Sequence, residues 1–169
     1  MLDKEGNNIF AGKTAKGAPA LRYAIGGLLE ALSGSTAVLA ANINSYRRFA
    51  KGSHAPTKIT WGYDNRSAAI RVPDSDLQNT RIEHRVAGAD ANPYLVLTVI
   101  LGGILAGLDG KTDPGQPTEG NAYATRAETL PLTWEKALAR FQKSDFIADC
   151  LYCRLSFRSY AAFSAETSG

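Results

Sequence analysis

The chain has 169 residues, enough for one domain with a real core, and its 44% apolar and 21% charged content is ordinary for a globular protein, which excludes a largely disordered chain. A net charge of only +3, from Lys and Arg residues scattered along the chain, argues against nucleic acid as a partner. The most apolar run, residues 95–108, is fourteen residues long, too short to span a bilayer, and predicts a buried core helix and no membrane role.

In chain order, MLDKEGNNIF reads as the end of one strand, a polar turn at Gly6-Asn7-Asn8 and the start of the next strand. Apolar residues at helical spacing predict a helix over 20–32, and a second apolar helical stretch, STAVLAANI, follows a break expected at Gly34. The Gly, Ser, Pro and Lys content around 50–56 predicts a mobile loop. Alternating β-formers then predict strands near 57–63 and 67–72. After a turn at DSDLQNT, the string RIEHRV reads as a strand, so Arg81, Glu83 and Arg85 share one face while Ile82, His84 and Val86 share the other. Asn92 as cap with Pro93 in the first helical position marks a clear helix start. Residues 109–131 form a long polar connection, of a length that often serves function or assembly. Thr133 caps a further amphipathic helix, and a last helix is expected around 145–163. Cys150 and Cys153 form a lone C-x-x-C without a second pair or nearby histidines, which reads as two helix-face thiols in a reducing cytoplasm.

Three pieces carry a chemical signal: NSYRRF at 44–49, NRSAAIRVP at 65–73 and RIEHRVAGADANPYL at 81–95. An isolated strand arginine is ordinarily a solvated side chain. Several arginines on neighbouring strands around one glutamate would repel one another unless an anion neutralised them. Arginine also presents the planar fork that suits carboxylate and phosphate.

These three strings, in this order, resemble the C-terminal part of the catalytic domain of the glutamine synthetase family, in particular its glutamine synthetase and γ-glutamyl-polyamine ligase branch. The likeness is dense from Gly26 to Phe141 and includes GNAY at 120–123. It implies an α+β fold, part of a curved antiparallel sheet backed by helices, with residues 1–169 lacking the N-terminal domain and the first half of the catalytic domain. It implies an ATP-dependent ligase of nitrogen metabolism and glutamine biosynthesis. Such a ligase amidates the γ-carboxylate of glutamate through γ-glutamyl phosphate, with ammonia or an organic amine as acceptor. The cofactors implied are ATP and Mg2+ or Mn2+, and the intact protein is expected to be a cytoplasmic homo-oligomer.

By the same resemblance, Glu83 matches the carboxylate that binds a metal ion bridging the ATP phosphates. Arg85 matches the arginine at the γ-carboxylate and the transferring phosphoryl group, and Arg48 the one that grips the α-carboxylate of glutamate. Arg66 matches the arginine that stabilises the phosphoryl group in flight, while Arg71 and Arg81 match arginines at or near the nucleotide phosphates. A hard dication takes oxygen ligands such as Glu, and arginines cover the remaining charge.

Two departures from the family pattern stand out. Family members that use ammonia carry a Glu one residue before Ala-Pro in the lid; here that residue is His54, which can take a proton but attracts ammonium less well, so a larger amine becomes the better expectation. Family members are also much longer, and the tail after about Ile147 lacks the usual pattern. The 169-residue chain alone is therefore expected to be inert and to self-associate through an exposed sheet edge. The competing reading is a non-catalytic remnant, or a regulatory module that binds nucleotide or a full-length partner.

Overall fold

The computed structural model describes residues 1–14, 16–50 and 52–151. Its frame is a pair of long apolar helices, α1 (Pro19–Leu39) and α2 (Pro93–Gly110). Both begin with proline, whose fixed φ suits the first helical turn. At α2 the side chain of Asn92 accepts hydrogen bonds from the amides of Tyr94 and Leu95, as the sequence predicts. The break expected at Gly34 does not occur. α1 runs through it, and a Cβ added at Gly34 would lie 2.8 Å from the Cβ of Ser144. That glycine serves the close approach of the segment before α4 (Asp145–Leu151) and leaves the helix intact.

α1 is buried along most of its length, from Leu21 through Leu39. α2 is not the fully buried helix that its composition predicts. It is 18 residues long with a mean hydropathy of 1.6, and it buries Val99, Gly102, Gly103, Ile104 and Gly107 while leaving Leu97, Leu101 and Leu105 exposed. The buried side is set by its glycines, which let its backbone settle directly on α1 (the Gly27–Gly107 contact). α3 (Trp134–Gln142) begins at Thr133, whose hydroxyl accepts from the amide of Lys136. It seals Ala137 against the core. The expected helix at 145–163 is described only as far as Leu151; its remainder, with Cys153, lies outside the described residues.

A small open sheet rests beside α1. Its strands β1 (Trp61–Tyr63), β2 (Ile70–Val72) and β3 (Glu83–His84) lie in the order β1-β2-β3. β2 and β3 are antiparallel, with Arg71 opposite Glu83 and Ile70 opposite His84, but β1 runs parallel to β2. The α+β class holds, while the sheet is mixed where an antiparallel one is expected. The reversal is made by residues 64–69. Asp64 sits in the left-handed region at φ 44°, and Asn65 then folds the chain back on itself by accepting from the amide and hydroxyl of Ser67. At the start of the chain the predicted pair of strands is reduced to a single Leu2–Asn8 bridge around the polar turn.

The long connection after α2 is not loose. Its Thr118 amide donates to Trp61 O at 2.7 Å, Trp61 Nε1 donates to Pro114 O at 3.1 Å, and Thr129 forms a bridge with Lys58. The connection thus extends the sheet on the β1 side. Trp61, Ile70, Val72 and Val86 turn inward onto Leu28, Leu32 and Leu39 of α1, so the opposite face of β2 and β3 is free to carry charge.

Candidate active site

Strand alternation sends neighbouring side chains to opposite faces, and β3 divides accordingly. His84 faces α1 and Val99, while Glu83 faces outward with Arg71 beside it on β2. Glu83 uses both carboxylate oxygens: Oε2 accepts from Arg71 Nη1 at 2.9 Å, and Oε1 lies 3.1 Å from Arg85 Nε. Both guanidiniums are well covered, with side-chain exposures of 14% for Arg71 and 17% for Arg85, so each needs the counter-charge.

Arg85 also ties the sequence pieces together. It donates through Nη1 to the carbonyls of Arg66 and Ala68, the latter at 3.2 Å, and through Nη2 to His54 O at 3.5 Å. The turn after β1 and the loop at 52–55 are thereby anchored to β3. His54 itself is in the left-handed region at φ 61°, unusual for a non-glycine residue and a mark of a loop held in a particular shape. Arg48 comes from the short helical segment Ile43–Phe49. Its Nη1 donates to Val86 O at 3.0 Å. That segment is capped by Asn42 and held by Asp90, whose carboxylate accepts from the Ser45 hydroxyl and from Asn42 Nδ2. The Ser45 hydrogen bond, then that of Asn42, holds Asp90 below the usual carboxylate range.

Arg48, Ser53, His54, Ala55, Glu83, His84 and Arg85 line one open cavity of about 330 Å³. A separate cleft of about 240 Å³ between α1, α2 and α4 carries no arginine. Of the residues singled out in the sequence, Arg71, Glu83 and Arg85 form one ion-paired cluster, and Arg48 and His54 share the cavity with it. Arg66 and Arg81 are exposed, and among the described residues neither makes an ion pair. The expected strand over 81–86 shortens to Glu83–His84, which leaves Arg81 outside the ladder, its Nη1 donating to Asn79 O at 3.3 Å. Sequence reasoning missed Asp64, which pairs with Arg71 Nη2. The only local hint is an Asp at a strand end, where left-handed backbone favours Asp and Asn.

The GNAY string acquires a structural role. Asn65 Nδ2 donates to Thr118 O at 2.8 Å and Gly120 O at 2.9 Å, and the Ala122 amide donates to Ser67 Oγ at 2.9 Å. The turn that carries Arg66 is locked to the loop at 118–122.

For a metal, Glu83 offers the oxygen chemistry of a hard dication. Among the described residues no group of three or more His, Cys, Asp or Glu could hold an ion. This donor set fits an ion shared between one protein carboxylate and the oxygens of a bound phosphate, a common arrangement for magnesium. It does not fit a complete protein cage.

His84 provides a test of the inner face. The residue is half-buried, and its Nδ1 is buried without a hydrogen-bond partner. Burial pushes the imidazole down from 6.5 to about 4. Its neutral form is therefore the folded form, and between these two values the unfolded chain binds more protons. Stability contributed by this group is fully present above pH 7 and declines as pH falls toward 4, by about 2 kcal/mol at pH 5. Urea unfolding at pH 7.5 and pH 5 should show that decline, and His84→Asn should flatten it. An equal pH dependence in the variant would remove His84 as its origin.

What these elements define is a cleft in which arginines converge on one acidic side chain at the open face of a small mixed sheet. The chain matches the family description "Glutamine synthetase, catalytic domain" over residues 1–166. It is 40% identical over 147 residues to the γ-glutamylputrescine synthetase PuuA of Escherichia coli, covering 87% of this chain and 31% of that protein. It is also 40% identical over 161 residues to the glutamine synthetase of Pyrococcus abyssi, covering 89% of this chain and 36% of that one. A ligand-free GmaS structure superposes with a TM-score of 0.78 at 29% identity, over 96% of this chain and 39% of that chain. The chain belongs to the glutamine synthetase family, and it spans about a third of the length of the curated relatives it matches.

Proposed function

We propose that residues 1–169 are the C-terminal part of a glutamine synthetase-type catalytic domain. The whole protein would be a cytoplasmic, homo-oligomeric ligase that joins glutamate to ammonia or an organic amine at the expense of ATP. The observation that carries this reading is Glu83 clasped between Arg71 and Arg85 in a cavity shared with Arg48 and His54. Sequence relatives that make γ-glutamyl amides support it.

The reaction has two parts. The γ-carboxylate of glutamate attacks the terminal phosphorus of ATP, ADP departs, and a γ-glutamyl phosphate results. The amine nitrogen then attacks the activated carbonyl carbon, loses a proton, and inorganic phosphate leaves. Such chemistry asks little covalent work of a protein and much positioning and charge neutralisation. Mg2+ or Mn2+, when bound, neutralises phosphate charge, and Glu83 is the residue that would hold it. Arg85 and Arg66 answer the charge on the phosphoryl group in transfer, Arg71 and Arg81 that on the nucleotide phosphates, and Arg48 that on the α-carboxylate of glutamate. In the complete enzyme the loop at His54 would close over the site and shield the acyl phosphate from water. The His54 side chain carries no fixed negative charge to hold ammonium, which favours a larger acceptor.

With one metal-binding carboxylate among the described residues, the chain by itself is not expected to turn over. The test is a subunit in which this chain replaces the matching third of γ-glutamylputrescine synthetase, assayed for ADP release with glutamate plus ammonium or plus putrescine. Amine-dependent release is expected, and His54→Glu should shift the preference toward ammonium by about tenfold, the scale on which one charged contact discriminates substrates. An unchanged preference would remove His54 as the selector. No release with any amine would leave the nucleotide- or partner-binding module.

A further inference from the structure

The family resemblance assigns nothing to Asp64, yet it is the fourth charge in the cluster. It lies at the end of β1 in a left-handed conformation, φ 44°, and its carboxylate meets Arg71 Nη2 while Arg71 Nη1 reaches Glu83 Oε2 at 2.9 Å. One guanidinium therefore bridges two carboxylates, and the chain Asp64–Arg71–Glu83–Arg85 alternates in sign with no net charge. The two acids differ in setting. Asp64 is 60% exposed and faces solvent at the rim, whereas Glu83 is 41% exposed and lines the cavity. Arg71 has no remaining slack: it is 14% exposed and its Nε is buried without a partner.

Glu83 has both oxygens engaged by guanidiniums, so a cation bound there competes with Arg71 and Arg85 for the charge of one carboxylate and weakens its hold on them. If Arg71 had no second carboxylate, its release would strand a covered positive charge beside the incoming cation. We propose that Asp64 is a positioning residue that retains Arg71 when Glu83 turns to a divalent cation, an inference that rests on the reading of Glu83 as a cation ligand. The Arg71 hydrogen bond holds the Asp64 carboxyl below the usual range, so Asp64 is ionised and ready for this role near neutral pH. The left-handed backbone fits as well. Asp and Asn tolerate that region where most residues do not, so this position can carry a carboxylate that meets Arg71 on β2.

The probe is ATP, titrated calorimetrically into the 169-residue chain with Mn2+ and again with EDTA. The quantity of interest is the gain in affinity that Mn2+ confers. Asp64→Asn keeps the size and the backbone preference and removes only the charge. It should reduce the Mn2+-dependent gain about fivefold, the scale of one partly exposed ion pair. The affinity for metal-free ATP should be retained or increased, because the arginines are then less neutralised. Asp64→Gly, which relieves the backbone and removes the side chain, should behave alike. A variant that weakens both titrations equally, or that keeps the full gain, overturns the proposal. Glu83→Gln separates the two levels: it should abolish the gain. If it leaves the gain intact, or if the wild-type chain shows none, the cation reading fails and Asp64's role with it.

Discussion

Glu83→Gln in the completed subunit should lower ADP release by on the order of 10²–10³-fold, the loss that follows removal of one electrostatic group from a charge-stabilising site. Glutamine is nearly isosteric, so the shape of the cavity survives and the loss isolates the charge. Two covered guanidiniums lose their shared counter-ion at once, and one carboxamide oxygen cannot replace two anionic oxygens. The fold should persist nonetheless, because Arg71 keeps Asp64 and Arg85 keeps the carbonyls of Arg66, Ala68 and His54. The measurement is therefore a pair: steady-state ADP release together with a thermal melt. A variant with normal turnover would refute the role given to Glu83. A variant that is unfolded would refute the independence of fold and site.

Gly107→Ala should be severely destabilising, by about 3 kcal/mol or more, because a methyl group would have to enter a backbone-to-backbone contact. A Cβ at Gly107 would lie 2.7 Å from Gly27 N and 2.8 Å from Gly27 Cα, and still nearer to Tyr23 O. None of these atoms is the end of a flexible side chain, so α1 and α2 would have to separate. Alanine is the better helix former by roughly 1 kcal/mol in a helix interior. If the contact were loose, the same substitution would therefore stabilise. The sign of the change in the urea midpoint decides between the two, and a stabilised Gly107→Ala would mean that α1 and α2 do not meet as described. The site would feel the separation: β2 packs on α1 through Ile70, whose neighbour Arg71 faces the other way and carries the ion pair to Glu83.

Some features were legible because their causes are local. Asn92 and Pro93 start α2, and Thr133 starts α3, since a capping side chain and the amides it accepts from lie within three residues. The opposed faces of Glu83 and His84 follow from strand alternation alone, and the burial of His84 Nδ1 agrees with it. Arg48, His54, Arg71, Glu83 and Arg85 were singled out by the family likeness, since no local pattern announces that segments so far apart in sequence meet around one cavity.

Other features depend on partners distant in sequence. Gly34 signals a break by local propensity, yet it lies inside α1 because Ser144, more than a hundred residues later, needs its space. The direction of β1 relative to β2 is set by a six-residue reversal locked to Thr118 and Gly120, which no period in the sequence announces. Arg81 shares the alternation of Glu83 and Arg85, but the ladder ends before reaching it.

Residue types and spacing by themselves determined where the helices α2 and α3 begin and which side of β3 carries charge, the side that holds Glu83. The tertiary structure alone decided which arginines reach that glutamate, and that Asp64 joins them. Helix caps and strand alternation are fixed by bonds within a few residues, whereas an ion pair exists only when packing of α1 beneath the sheet brings separate strands into register.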